Sequence, residues 1–172
     1  SCVAYAVYVR NLNGDSDLAK AKTLLAELKG QKNLNLEALG WIWPTLNEKA
    51  KGGPEVTELK RLVMNRATET ADKAQFTMSY GEGDGEFLLL HSNQRTDAIL
   101  LYALLGDEPA NALNTKLLRG LLAHRKKGRW ESTQENVWVL LALQKYFRTF
   151  ENEAPNFIAR VWMESTCPRP DL

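Results

Sequence analysis

Cysteine, histidine and long apolar segments are scarce in this sequence, and each shortage excludes a class of protein. The 172 residues contain two cysteines and two histidines, which is too few for a disulfide scaffold and gives no zinc signature. Cys2 and Cys167 lie near opposite ends, so we expect two free thiols, with a disulfide as the alternative. No apolar run approaches the roughly 20 residues that a membrane-spanning helix needs, and we predict no membrane insertion.

The charge of the chain is nearly balanced. There are 22 basic and 21 acidic residues, a net charge of +1, and no basic stripe interleaved with aromatics, so we predict no nucleic-acid partner. Hydrophobic residues make up 44% of the chain, as is ordinary for a soluble globular protein. The length is sufficient for one domain with a sizeable core.

No residue cluster predicts catalysis, a metal or a cofactor. The acidic residues of the "GEGDGE" turn, Glu82, Asp84 and Glu86, lack the full ligand set of a calcium loop. We interpret His91 as a surface or capping residue, and His124 as a charge near a helix C-terminus. The sequence has no G-x-S-x-G element and no phosphate-binding loop.

Helical periodicity dominates what is present. Apolar residues at helical spacing predict a mainly α-helical fold. The first predicted helix spans 2–12, and the second is capped by Asp15 or Ser16 and ends near Gly30. The third begins at Asn35 and is kinked or ended by Pro44, and the fourth runs from Pro54 to about Lys73. Three more follow: one that ends before Gly106, one that Pro109 opens, and one from Thr133 to Phe150.

Two stretches break the helical period. Residues of about 75–91 alternate around a glycine-rich turn, which predicts a β-hairpin. The segment "NFIARVWM" near the end predicts a strand. We therefore predict a helical domain over 1–152, followed over 153–172 by a linker and the first strand of a further domain.

An internal repeat indicates how the helices pack. The segment Thr96–Leu104 is echoed 39 residues later by Glu135–Leu143, with another amphipathic helix between them. Such helix-hairpin repeats stack so that neighbours bury a continuous core. The first helix of each pair is apolar nearly all round, so it should be buried on both sides. We predict a two-layered partial α/α toroid.

The loop before the last helix carries a specific motif, and we interpret it structurally. Ser132 and Glu135 form a capping-box pattern, and Gln134 can hold the preceding loop. Gly128 permits a left-handed turn, and Trp130 should pack the loop onto the helix ends. We expect these residues, together with Thr133, to join two helices rather than to catalyse a reaction; the basic run beside them could contact an acidic neighbouring domain.

This motif, Gly128-Arg129-Trp130-x-x-Thr133-Gln134 followed by Leu140-x-Ala142-Leu143, resembles the end of the thioester domain of the α2-macroglobulin and complement superfamily, above all in its bacterial members. Residues 92–163 carry the resemblance best. It implies an α/α-toroid domain of a large protein that traps proteases after bait-region cleavage. The Cys-x-x-Gln thioester of that family is absent from this sequence, so the chain itself is expected to be structural and not an enzyme.

The resemblance also implies partners and a location. Proteases would be bound through a full-length parent, with β-domains of the same chain as neighbours, in the periplasm or outside the cell. Since the chain lacks an initiator methionine and a signal peptide, we expect a piece of a longer protein. Two alternatives stay open: a helical-repeat scaffold that binds a protein partner, and a terpene-cyclase-like enzyme, whose Asp-x-Asp-Asp motif is missing.

Overall fold

Alternate helices form two layers in a computed structural model of the chain, which describes residues 2–31, 33–76 and 92–150. The odd-numbered helices pack side by side in chain order, the second and fourth helices cover the third and touch each other, and the sixth covers the fifth. The arrangement is a series of stacked helix hairpins. The described helices are α1 (Cys2–Leu12), α2 (Leu18–Lys29), α3 (Leu36–Ala50), α4 (Pro54–Met64), α5 (Asn93–Asp107), α6 (Ala112–Ala123) and α7 (Thr133–Phe150).

The predicted fold class, mainly helical with an antiparallel β-hairpin, is confirmed, and the described hairpin lies ahead of most of the segment predicted to form one. Strands β1 (Ala67–Glu69) and β2 (Ala74–Phe76) pair with Ala67 opposite Phe76. The prediction for 75–91 lies, from residue 77 onward, outside the described residues, as does the predicted strand within 153–172. The domain boundary therefore stays a prediction.

Several predicted helix ends are wrong. The helix expected to reach Lys73 ends at Met64, because the polar residues beyond it no longer continue an apolar stripe and pair as β1 instead. Of the two outcomes predicted for Pro44, ending the helix is wrong and kinking stays a prediction: Pro44 lies inside α3, where packing on four neighbouring helices outweighs the lost backbone hydrogen bond. Asp17 caps α2 by accepting from the Lys20 amide at 2.9 Å, in place of Asp15 or Ser16.

Two further ends move for reasons of packing and capping. Gly106 lies within α5 rather than after it, and its missing Cβ leaves room for Lys145 of α7, whose Nζ would lie 2.8 Å from an added Cβ. The next helix begins after Asn111, whose side chain accepts from the Leu113 amide, and not at Pro109.

The contact between α3 and α5 is the centre of the core. Gly40 brings the two helices together, since a Cβ there would lie 2.6 Å from the Cγ2 of Ile99. A buried bidentate ion pair crosses the same contact: Arg95 donates from Nε and Nη2 to Glu37 at 2.9 and 2.7 Å. Such a pair fixes the relative position of two helices even where its net contribution to stability is small.

An aromatic cluster joins the four odd-numbered helices. Its rings are Tyr5 and Tyr8 from α1, Trp41 from α3, Tyr102 from α5 and Trp138 from α7. The ring centroids of Tyr8 and Trp138 are 5.7 Å apart, and those of Trp41 and Trp138 are 6.4 Å apart. Trp41 is therefore part of the core, and the cluster connects α1 to α7.

The expectation that α7 is buried on both sides is wrong for the described part of the chain. The side of α7 that faces α5 is buried through Trp138, Val139 and Ala142. On the outer side, Val137 and Leu140 are 49% and 57% exposed. The repeat predicted from the sequence is therefore complete at α5 and open at α7.

Candidate functional site

The loop between α6 and α7 is built on a tight basic turn. The backbone amide of Lys126 donates to the carbonyl of Arg129 at 2.9 Å, and the reverse hydrogen bond is 3.1 Å long. Between them Lys127 and Gly128 have φ angles of 50° and 84°, as in a type I′ turn. Gly128 adopts this left-handed conformation without the steric cost that Lys127 bears.

Trp130 fixes this turn to the body of the domain. Its side chain is 4% exposed, and its indole Nε1 donates to the carbonyl of Leu121 in α6 at 2.9 Å. The amide of Asn136 clamps the backbone of Trp130 from α7, accepting from its N–H at 3.1 Å and donating to its carbonyl at 2.9 Å. The guanidinium of Arg125 lies 5.9 Å from the centre of the indole ring, within cation–π range.

The start of α7 is tied to the start of α5 by Glu135. The Glu135 amide donates to Ser132 Oγ at 3.1 Å, and the Ser132 amide donates to Glu135 Oε2 at 3.0 Å, which is a complete capping box. The other carboxylate oxygen accepts from the hydroxyl of Ser92, the N-cap of α5. Thr133 and Gln134 stand beside this network with exposed side chains.

Sequence reasoning missed two of the residues that hold the site. The loop is pinned by Asn136 and not by Gln134, and a polar residue in the first turn of a helix gives no signal of a contact six residues upstream. The bond from Ser92 to Glu135 joins residues 43 apart in the chain. Only the packing of α5 against α7 brings them together.

A pocket of about 360 Å³ opens beneath the basic turn. Three cationic side chains and one imidazole line it, against two carboxylates, one of which, Glu135, is already engaged in the capping box. The His124 Nδ1 lies 2.9 Å from the Gly120 carbonyl, so Nδ1 carries the proton in the neutral ring and Nε2 is left as the acceptor. The lining residues are Gln94, His124, Lys126, Lys127, Arg129, Trp130, Glu131 and Glu135.

The chemistry of this pocket suits the binding of an anion. Its cations stand on a turn whose backbone is fixed by hydrogen bonds and by the buried Trp130, so little backbone freedom is lost on binding. Among the described residues, no group of three or more His, Cys, Asp or Glu side chains is placed to hold a metal ion.

Two buried titratable groups lie outside the pocket. Burial raises the pKa of Asp97 to about 7, opposed by the hydrogen bond that its Oδ1 accepts from the Phe76 amide at 2.8 Å. Burial lowers the pKa of Lys145 to about 8; its Nζ donates to the Tyr102 carbonyl at 2.8 Å and lies 4.0 Å from the centre of that ring. Both groups connect secondary-structure elements: the Asp97 side chain links α5 to β2, and the Lys145 side chain links α7 to α5.

The remaining residues considered from the sequence are not among those that line the pocket in the described part of the chain. His91, Glu82, Asp84, Glu86 and Cys167 lie outside the described residues. Cys2 is a free and exposed thiol. No described helix combines the length and apolar character needed to cross a membrane.

Comparison with known proteins gives a relative but no family. No protein-family model matches the chain. The chain is similar to "Circularly permutated Ras protein 2" of Dictyostelium discoideum, with 29% identity over 140 residues. The match covers 81% of this chain and 4% of that protein, so the chain spans a small part of its relative's length.

This relative overturns the family expected from the loop motif. Membership of the α2-macroglobulin and complement superfamily is wrong, because the relative found is a Ras protein and no family model supports the resemblance. Three predictions that depended on this family are also wrong: the protease-trapping function, the protease partners and the neighbouring β-domains. The alternatives of a protein-binding scaffold and a terpene-cyclase-like enzyme gain no support either. The location outside the cytoplasm and the absence of enzymatic activity in this chain stay predictions.

Proposed function

We propose that the chain is a helical module of a Ras-related protein, and that it modulates the GTPase unit of that protein instead of binding the nucleotide itself. The observation that carries the proposal is the 29% identity to a Ras protein across 81% of the chain. Since the match covers 4% of that protein, GTP binding and hydrolysis would be performed by another part of the longer chain.

The sequence and the fold support the proposal that another part of the longer protein binds the nucleotide. A G-x-x-x-x-G-K-[S/T] phosphate-binding loop is absent from the 172 residues, and that loop normally lies between a strand and a helix. The described residues form helices and one two-stranded antiparallel sheet, without a strand that leads directly into a helix at such a loop.

The basic turn above the pocket is the contact we assign to the GTPase unit. Lys126, Lys127 and Arg129 are exposed, and their turn is held rigidly by Trp130. Cations on a fixed turn favour an acidic protein surface, where charge complementarity sets orientation and the rate of encounter. The contact would thereby change how readily the GTPase unit releases nucleotide or hydrolyses it.

The experiment uses the full-length protein. Lys126, Lys127 and Arg129 are changed together to alanine, and nucleotide release and single-turnover GTP hydrolysis are measured. We expect at least one rate to change about tenfold, equivalent to about 1.4 kcal/mol, and the change to shrink at high salt. A matched control replaces three exposed cations that do not line the pocket, Lys20, Lys51 and Arg66, and should leave both rates unaltered.

Each alternative outcome contradicts a defined part of the proposal. A full-length protein that binds no guanine nucleotide would overturn the link to a GTPase. Rates that respond equally to the pocket variant and to the control variant would overturn the role of the basic turn. Tight binding of a fluorescent GTP analogue by the 172-residue chain alone would overturn the claim that this module leaves the nucleotide to another unit.

A further inference from the structure

The three cations of the basic turn, Lys126, Lys127 and Arg129, have no ion-pair partner in the described part of the chain. By contrast, Lys60 and Lys116 each pair with a carboxylate, at 2.6 and 2.9 Å. The pocket that the three cations line has a volume of about 360 Å³, within the range of about 300–1,000 Å³ that is typical of small-molecule sites. Their hydrogen-bond donors are therefore available to a ligand in that pocket.

The groups near the pocket that would oppose an anion are engaged in other hydrogen bonds. Both carboxylate oxygens of Glu135 accept, one from the Ser132 amide at 3.0 Å and the other from the Ser92 hydroxyl. The last carbonyls of α6 form the negative end of the helix dipole, but the carbonyl of Leu121 accepts from the indole of Trp130 at 2.9 Å. The unpaired cations therefore dominate the electrostatics of the pocket.

The other polar groups that line the pocket suit hydroxyl groups. Oε1 of Gln94 accepts from the Ser92 hydroxyl at 3.2 Å, so the Nε2 amide of Gln94 is left as a donor. Since Nδ1 of His124 lies 2.9 Å from the Gly120 carbonyl, Nε2 is left as an acceptor in the neutral ring. Glu131 adds a carboxylate that has no ion-pair partner among the described residues. A ligand that carries both a negative charge and hydroxyl groups matches this mixture better than a bare anion does.

We propose that the pocket binds a small phosphorylated polyol, with the cations of the basic turn on its phosphate and Gln94, His124 and Glu131 on its hydroxyl groups. The guanidinium of Arg129 binds phosphate through two parallel N–H donors, and a lysine binds it as a point charge. The polyol phosphate is either free in solution or the headgroup of a lipid, since both present the same groups to the pocket. Such a ligand would compete with the contact assigned to the GTPase unit; this consequence rests on the proposed function, whereas the binding itself does not.

Isothermal titration calorimetry of the 172-residue chain with inositol bisphosphate tests the proposal. We expect one site per chain and a lower affinity at high salt, because salt screens exposed cations. Arg129→Ala should raise the dissociation constant about tenfold, because it removes a charge-assisted contact with the phosphate. Arg66→Ala, at an exposed arginine that does not line the pocket, is the matched control and should leave the dissociation constant unchanged.

A second pair of variants separates the pocket from a general attraction to basic surface. Gln94→Glu places a carboxylate in the pocket and leaves every cation of the turn in place, so it should weaken binding about tenfold or more. A glutamate in the first turn of α5 is favoured by the helix dipole, and circular dichroism checks that the helical content is kept. Gln134→Glu makes the same change in the first turn of α7, at an exposed residue that does not line the pocket, and should bind normally.

Vesicle sedimentation distinguishes the two sources of the ligand. Phosphatidylcholine vesicles that contain phosphatidylinositol phosphate are compared with vesicles of equal charge that contain phosphatidylserine. If the chain sediments only with the phosphoinositide vesicles, the ligand is a lipid headgroup. If the chain binds inositol bisphosphate in solution and sediments with neither kind of vesicle, the ligand is a soluble polyol phosphate. Either result supports the proposal.

Four results would overturn the proposal. A chain that binds no inositol bisphosphate at millimolar concentration does not have this site. Equal affinity for inorganic phosphate and for inositol bisphosphate would remove the role of the hydroxyl groups. Equal weakening in Gln94→Glu and Gln134→Glu would mean attraction to a charged surface and not binding in a pocket. Tighter binding of a phosphoserine peptide would assign the pocket to a protein partner. None of these results bears on nucleotide release by the full-length protein, so this proposal and the proposed function fail separately.

Discussion

Replacing Gly120 by alanine tests the packing of α6 on the β-hairpin. Gly120 is buried in the interior of α6. An alanine Cβ there would lie 2.4 Å from the carbonyl oxygen of Ala74 in β2. This oxygen belongs to the backbone of a strand, so it cannot rotate away as the end of a flexible side chain could.

The expected loss of stability is the difference between two opposing effects. An added methyl group in a close-packed contact typically costs about 1–3 kcal/mol. Alanine in a helix interior is favoured over glycine by about 1 kcal/mol. We therefore expect Gly120→Ala to reduce the free energy of unfolding by up to about 2 kcal/mol. In a chain of this size each kcal/mol lowers the melting temperature by about 2–4 °C, so the decrease is up to about 8 °C.

Thermal and urea unfolding of Gly120→Ala measure this loss, with Gly30→Ala as the matched control. Gly30 ends α2 with a φ of −78°, and an added Cβ would have its nearest neighbour at 3.6 Å. Alanine fits there without strain and should stabilise by about 0.4–1 kcal/mol. If Gly120→Ala is instead stabilised as much as Gly30→Ala, α6 does not approach β2 as closely as described.

Two further predictions concern the capping box and the buried carboxyl of Asp97. Ser132→Ala should lower the free energy of unfolding by about 0.5–2 kcal/mol, because it removes the cap of α7. Thr133→Ala, at an exposed residue, is the control and should change stability by less than about 0.5 kcal/mol. Equal urea midpoints for the two variants would contradict this account. Burial raises the folded pKa of Asp97 from 3.8 to about 7, so the stability associated with its protonated form is full below pH 3.8 and is lost as pH rises through 7. Asp97→Asn keeps an acceptor for the Phe76 amide and removes the buried charge, so it should stabilise the chain at pH 8 by at most about 4 kcal/mol. It should also flatten the dependence of melting temperature on pH between 5 and 8. A variant no more stable than the original chain at pH 8 would show that the carboxylate is not buried.

The helices could be predicted from the sequence where local physics decides them. The apolar periods of α1, α2, α3 and α7 are strong, and Asn35 and Gly30 mark ends that the structure keeps. Such ends depend on residues within one turn of each other, and a sequence read along the chain contains them. The capping box of Ser132 and Glu135 belongs to this class.

The elements that could not be predicted depend on contacts between distant residues. Pro44 and Gly106 carry the local signals of helix ends, yet both lie within helices, because neighbouring helices supply packing that the local signal does not contain. The ion pair of Glu37 and Arg95 joins residues 58 apart. No spacing rule along the chain selects that arginine from the 22 basic residues.

The family resemblance failed for a related physical reason. In the structure, Gly128, Trp130, Ser132 and Glu135 all serve the joint between two stacked helices: a left-handed turn, an indole that anchors the loop, and a helix cap. Any protein that joins two stacked helices through a short loop has the same requirements, whatever the protein does. A motif made of such residues therefore indicates the geometry of the joint and not the function of the protein. The joint does not need the exposed cations beside it, Lys126, Lys127 and Arg129. A function specific to this chain should be sought at those cations.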